Sequence, residues 1–193
     1  MNHIFYIMGK SSSGKDTIYK MLLEKGDFFP IVLYTTRPMR ESEKDGREYH
    51  FTDLSGYEEK LALGDVIEKR IYKTIYGEWI YFTCKDNIDL EKGNYLGIGT
   101  LDSFKKINAF FGDERVIPLY VEVDDGIRLI RAIQREMHEE EPKYIELCRR
   151  FIADSRDFSD EKLSKANIER KFSNNSTLEK CVSDIEEYIR SLL

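Results

Sequence analysis

The segment Gly9 to Thr17, GKSSSGKDT, constrains this chain more than any other, because it fits G-x-x-x-x-G-K and lies between a short apolar run and a helical pattern. Glycines in such a loop let backbone N–H groups curl around phosphate oxygens. The N-terminus of the helix that follows adds positive potential, and a lysine at the position of Lys15 reaches the terminal phosphates. Gly9, Lys10, Ser11, Ser12, Ser13, Gly14, Lys15, Asp16 and Thr17 are therefore the candidate phosphate-binding residues. After Lys15 stands Asp16, where a serine or threonine would normally supply a hydroxyl to magnesium. A carboxylate is itself a hard oxygen ligand, so Asp16 is the candidate metal ligand, with Thr17 and Ser13 as neighbours.

The pattern around the loop sets the fold class. Ile4 to Met8 is an unbroken apolar run ended by glycine, as expected of a strand buried on both faces of a parallel sheet. Ile18, Met21, Leu22 and Lys25 keep helical spacing until Gly26. Ile31 to Tyr34, Tyr95 to Ile98 and Val116 to Val123 are further strand candidates separated by helical or mixed material, which predicts a three-layer α/β fold with a parallel sheet core. Residues 35–92 are too long for a simple crossover and read as an inserted subdomain. The polar, acidic stretch QREMHEEEP, 134–142, is a candidate mobile loop. Ser176 and Glu179 form a capping-box pattern before a final helix whose apolar face carries Leu178, Val182, Ile185, Ile189 and Leu192.

Composition narrows the function classes. The chain has 193 residues, 41% of them hydrophobic, enough for one full core. A net charge of −6 argues against an extended nucleic-acid groove, so any polyanion site is local. Cys84, Cys148 and Cys181 are odd in number and far apart, without a Cys-x-x-Cys pair; core thiols in a reducing cytoplasm are expected rather than a disulfide framework or zinc site. The N-terminal apolar run is too short for a signal segment or a membrane span.

A second cluster, TTRPMR followed by DGREYHF, carries Arg37, Arg40 and Tyr49. Two arginines three residues apart and a tyrosine nine residues on can converge as planar donors on a second phosphate; a solvated turn around Pro38 is the other reading. Glu68 follows the apolar pair Val66 and Ile67, and Tyr76 precedes Gly77. A glutamate held in a site can accept from the N–H edge of guanine.

The order of these motifs, phosphate loop, T-T-R-x-x-R, G-x-x-Y-x-F, I-E, Y-G and a late arginine-bearing helix, resembles the guanylate kinase family over the whole chain. The resemblance implies a P-loop kinase core (1–33, 93–133 and 147–193), an inserted nucleoside-monophosphate-binding subdomain (34–92) and a lid (134–146). It implies phosphoryl transfer from ATP to GMP with Mg2+. Carried over by position, Lys15 and the loop amides hold ATP; Arg37, Arg40, Tyr49 and Tyr76 hold the acceptor phosphate; Glu68 reads guanine. Arg131, Arg135 and Arg150 match the arginines that clamp the transferring phosphoryl group. Four positions depart from the family pattern. Leu33 replaces a small hydroxyl residue, Gly99 stands where the first acid of a D-x-D-like segment is expected, Glu78 replaces a hydroxyl, and the lid segment His138 to Glu141 is acidic. All fall on the metal and base positions rather than on the acceptor-phosphate clamp, so a weaker preference for GMP is expected. The alternatives are a related P-loop kinase with another small acceptor, or a non-catalytic binding module of the same fold. The sequence fixes no oligomeric state.

Overall fold

In the computed structural model, which describes residues 1–74 and 77–193, the chain runs through nine strands and seven α-helices among those residues. In order these are β1 (Ile4–Met8), α1 (Lys15–Glu24), β2 (Phe29–Pro30), β3 (Tyr34–Thr35), β4 (His50–Phe51), α2 (Leu54–Ala62), β5 (Val66–Thr74) and β6 (Gly77–Cys84). There follow β7 (Tyr95–Gly99), α3 (Leu101–Phe111), β8 (Val116–Glu122), α4 (Asp125–Glu136), α5 (Tyr144–Asp157), α6 (Asp160–Lys165), β9 (Lys171–Ser173) and α7 (Leu178–Leu192).

β1 lies at the centre of a parallel sheet of order β2-β7-β1-β8-β9, with Met8 level with Gly99 on one side and Tyr120 on the other. Its residues alternate between two cores, which is why the run reads as continuously apolar. Ile4, Tyr6 and Met8 pack with Phe104 and Ile107 of α3, while Phe5 and Ile7 pack with Ile18 and Leu22 of α1 and with Val182, Ile185 and Ile189 of α7. Ile18 and Leu22 are essentially inaccessible to water, and burying each stabilises the fold by about 1.5–3 kcal/mol. The result is the three-layer α/β P-loop kinase fold.

A second sheet, of order β4-β3-β6-β5, contains the antiparallel β5–β6 hairpin. The ladder shifts register between Val66 and Glu68, so that Val66 pairs with Cys84 and Glu68 with Thr83. Such a bulge re-aims the side chain beside it. Here it sends Glu68 inward, where the residue is 3% exposed.

Several sequence expectations change. No single strand covers Ile31 to Tyr34. Phe29–Pro30 pairs on the edge of the core sheet, where a proline costs no ladder bond, and the chain then crosses to enter the second sheet at Tyr34. The stretch 134–142 is not a loop throughout: Gln134 to Glu136 finish α4 and only 137–143 connects to α5, because Gln, Arg and Glu are good helix formers as well as polar. Glu136 is buried and accepts from the Lys143 backbone N–H. The cap of α7 is Thr177, which accepts from Lys180 N at 3.3 Å, not Ser176. Cys84 and Cys181 are core thiols, but Cys148 is exposed on α5. No helix among the described residues is long and apolar enough to cross a membrane.

Candidate active site

The phosphate loop leaves the C-terminal end of β1 and enters α1. Gly9 must be glycine, since a Cβ there would lie 2.6 Å from the Val121 carbonyl oxygen. Gly14 caps α1 in the left-handed region (φ 86°), with Ser12 also at positive φ (62°). Alternating left- and right-handed residues make a concave nest of N–H groups suited to an anion, and no side chain caps the first turn of α1. Lys15 reaches along the loop with its Nζ 3.3 Å from Asp16 Oδ2.

Residues outside the loop hold its shape. Asn174 donates from Nδ2 to the Ser13 carbonyl at 2.8 Å. Asp154 of α5 accepts from the Ser11 N–H at 2.8 Å and pairs with Arg128 at 3.2 Å. Arg128, fully buried on α4, also donates to the Ser11 carbonyl (3.2 Å) and to Asp125 Oδ1 (2.9 Å), and lies 4.0 Å above the Phe151 ring. Burial pushes the Asp125 carboxyl up, but hydrogen bonds from Arg128 and Lys10 outweigh it and hold the group below its ordinary value. The sequence reading missed Arg128, Asp154 and Asn174. Nothing in their local spacing distinguishes them from surface polar residues.

Among the three expected clamp arginines, Arg135 and Arg150 line a small recess with Ser11 and Ser12 of the loop. Arg131 turns instead to the Asn174 carbonyl, 3.0 Å away.

The donor set at the loop mouth fits Mg2+, a cation that takes one or two carboxylates and otherwise water and phosphate oxygens. Asp16 is 77% exposed there, and the buried hydroxyls of Ser12 and Ser13 have no partner in the protein. Among the described residues no group of three or more His, Cys, Asp or Glu could hold a metal alone.

On the other side of α1 a cavity of about 870 Å³ opens between the two sheets, lined by Tyr19, Leu33, Tyr49, Arg70, Tyr81 and Ile98 among others. Tyr49 sits in this lining, with Arg37 5.5 Å from its ring centre. Arg37 is buried and grips Glu43 through both Nη atoms, at 3.0 and 2.7 Å. Arg40 is exposed; its backbone N–H donates to the same Glu43 at 2.8 Å. Hydrogen bonds from these two residues hold the Glu43 carboxyl below the usual range. Tyr76, the fourth expected member of this clamp, lies outside the described residues. Glu68 is not in the cavity lining.

A glycine loop at the C-terminal end of a central parallel strand, entering a helix across which an aromatic cavity opens, gives the chain the α/β P-loop fold. The chain belongs to the guanylate kinase family: the family model described as guanylate kinase matches residues 1–192. Among similar curated proteins, the guanylate kinase of Clostridium tetani is 36% identical over 92 residues, 47% of this chain and 42% of that one. That of Nitrosospira multiformis is 34% identical over 92 residues, 45% of this chain and 44% of that one. The matches thus span less than half the length of these relatives. The crystal structure of guanylate kinase from Anaplasma phagocytophilum has the same fold, with a TM-score of 0.65 at 18% identity, covering 98% of this chain and 85% of that one.

Proposed function

We propose that the protein transfers the γ-phosphoryl group of ATP to a nucleoside monophosphate, GMP first among them. The observation that carries this reading is the sharing of α1 between two sites. Its N-terminus closes the phosphate loop with Lys15, and its Tyr19 lines the aromatic cavity together with Tyr49, whose ring centre lies 5.5 Å from Arg37.

In this reading the loop amides and Lys15 bind the donor phosphates, and Arg37, Arg40, Tyr49 and Tyr76 hold the acceptor phosphate. Arg135 and Arg150 approach the transferring group from α4 and α5, and Arg131 would have to leave the Asn174 carbonyl to join them. In-line transfer needs no covalent intermediate, so these residues act by orientation and by stabilising charge on the transferred oxygens. Glu43 occupies the Arg37 guanidinium in the free protein, and an acceptor phosphate would share or displace that contact. Asp16 would hold Mg2+, which would neutralise charge between the donor phosphates.

A coupled ADP-release screen of the common nucleoside and deoxynucleoside monophosphates, with ATP and magnesium, tests the reading. Release with GMP, abolished by Lys15→Ala, is expected. A non-catalytic binding module would give neither ADP nor ATP affinity dependent on Lys15, and that outcome refutes the proposal.

A further inference from the structure

We propose that the base end of the acceptor cavity is read by Arg70, not Glu68, and that it selects 6-oxopurine nucleoside monophosphates as a class, leaving the 2-amino group of guanine unread. This rests on the reading of the cavity as the acceptor site.

The Glu68 carboxylate is sealed away from the cavity. Its side chain is 1% exposed. Oε1 accepts from Thr83 Oγ1 at 2.9 Å and lies 3.4 Å from Arg70 Nη2, while Oε2 faces Ser103 Oγ at 3.4 Å. Tyr6 closes the same pocket from β1. Its phenol interacts with Ser103 and lies close enough to Glu68 and far enough from water that its pKa is raised, burial being the larger cause.

The Tyr6 ring also explains two glycines. A Cβ on Gly97 would lie 2.5 Å from Tyr6 Cδ2, and one on Gly99 would meet the Tyr6 hydroxyl closer still. An acidic side chain at either position and the Tyr6 ring exclude one another. The space where an acid on β7 would stand is filled by an aromatic residue two positions before the end of β1. Among the described residues lining the cavity the one carboxylate is Glu48, and its oxygens are held by Arg47 Nε at 2.5 Å and by the Lys44 N–H at 2.8 Å. The N1–H and 2-amino donors of guanine therefore find no free carboxylate here.

What the cavity does offer is Arg70. It lines the wall, Glu68 anchors it from behind, and its Nε is buried without a partner. A guanidinium fork matches two adjacent acceptors, and the 6-oxopurine edge supplies such a pair in O6 and N7. Adenine puts an amino donor at position 6, and uracil has a single carbonyl on the corresponding edge, so both fit the fork less well. Leu33, Tyr19 and Tyr81 supply an apolar and aromatic surround for a planar ring. Hypoxanthine shares O6 and N7 with guanine and lacks only the 2-amino group.

Isothermal titration of GMP, IMP, AMP and UMP into the free protein tests this, with Arg70→Met, Arg70→Lys and Glu68→Gln run alongside. GMP and IMP are expected to bind within about threefold of each other, and AMP and UMP at least about tenfold more weakly. Arg70→Met should weaken GMP and IMP by about 10- to 100-fold, the range of one bidentate contact, and leave AMP nearly unmoved. Arg70→Lys keeps the charge but loses the fork and should not restore the preference. Glu68→Gln should leave the GMP to IMP ratio unchanged. A preference for GMP over IMP beyond about tenfold that collapses in Glu68→Gln overturns the inference, as does an equal loss for all four nucleotides in Arg70→Met, or no binding of any monophosphate. ADP release, measured separately, distinguishes the two levels of failure. Base-selective binding without ADP refutes the kinase reading and leaves this inference standing, and ADP production indifferent to the base does the reverse.

Discussion

Removing the Asp154 carboxylate should loosen the phosphate loop and destabilise the protein together, because one oxygen serves both. Oδ2 accepts from the Ser11 N–H at 2.8 Å and neutralises Arg128, which is 1% exposed, at 3.2 Å. In Asp154→Ala both charge-assisted bonds go, each worth about 1.5–3 kcal/mol. Asp125 still holds Arg128 from the other side at 2.9 Å, so the guanidinium is not wholly uncompensated. The expected loss is therefore about 2–4 kcal/mol, below the additive total and near the lower end of what breaking a buried pair costs. For a chain of this length each kcal/mol lowers the melting temperature by about 2–4 °C. Asp154→Asn keeps an acceptor for Ser11 and should lose about half as much. Urea unfolding followed by circular dichroism gives the stability, and ATP titration of the folded variants gives the consequence for the loop. An Asp154→Ala protein within about 0.5 kcal/mol of wild type, with unchanged ATP affinity, would refute the claim that α5 holds the loop in shape.

Lys15→Ala should abolish phosphoryl transfer while leaving the stability within about 0.5 kcal/mol, since the one hydrogen bond its ammonium makes among the described residues is with the exposed Asp16; retention of more than about a tenth of the activity removes Lys15 from the mechanism. Arg37→Ala should weaken acceptor binding about 10- to 100-fold, the worth of a charge-assisted contact, with ATP affinity little changed; equal losses for donor and acceptor would mean that Arg37 is no part of the acceptor clamp. Burial pushes the Asp86 carboxyl up, but hydrogen bonds from Lys60 and Tyr34 outweigh it and lower its pKa. Its stabilisation is therefore present above about pH 3.9, the unfolded value, and is lost as pH falls through the lower folded value; Asp86→Asn should flatten the drop in melting temperature below about pH 4, and an unchanged acid profile counts against the contact. Burial raises the thiols of Cys84 to about 12 and Cys181 to about 11, so a disulfide reagent at pH 8 should find one fast thiol, Cys148, and modification of two or three in the native protein contradicts the packing. ATP affinity should depend on magnesium more steeply in the wild type than in Asp16→Ser, because the exposed Asp16 carboxylate repels metal-free nucleotide; an unchanged ratio of the two dissociation constants makes Asp16 a bystander.

The contrast between what the sequence disclosed and what it did not has a physical cause. The phosphate loop is built from backbone, and backbone demands are written locally: Gly9 is required by the nearness of the Val121 carbonyl and Gly14 by its positive φ, both within the motif. Strand β1 was legible for the same reason, since burial on both faces leaves an uninterrupted apolar run. The short strands were not. β2 and β3 have two residues each and β9 three, all shorter than any hydrophobic period needs to declare itself. The base end of the cavity was the least legible part, because it depends on packing across distant segments. Gly99 reads as a missing acid until Tyr6, some ninety residues earlier, is seen lying over it. Likewise Glu68 sits at its expected place along the chain, yet the bulge after Val66 turns it toward Ser103 and away from the cavity. A single exchange of bulk between neighbouring strands can thus change what a site recognises while every phosphate-binding residue stays in register. The departures at the base positions have that cause. Backbone-made recognition tolerates few substitutions, whereas recognition by side chains on a rigid sheet can be rebuilt wherever one residue fills the space another leaves.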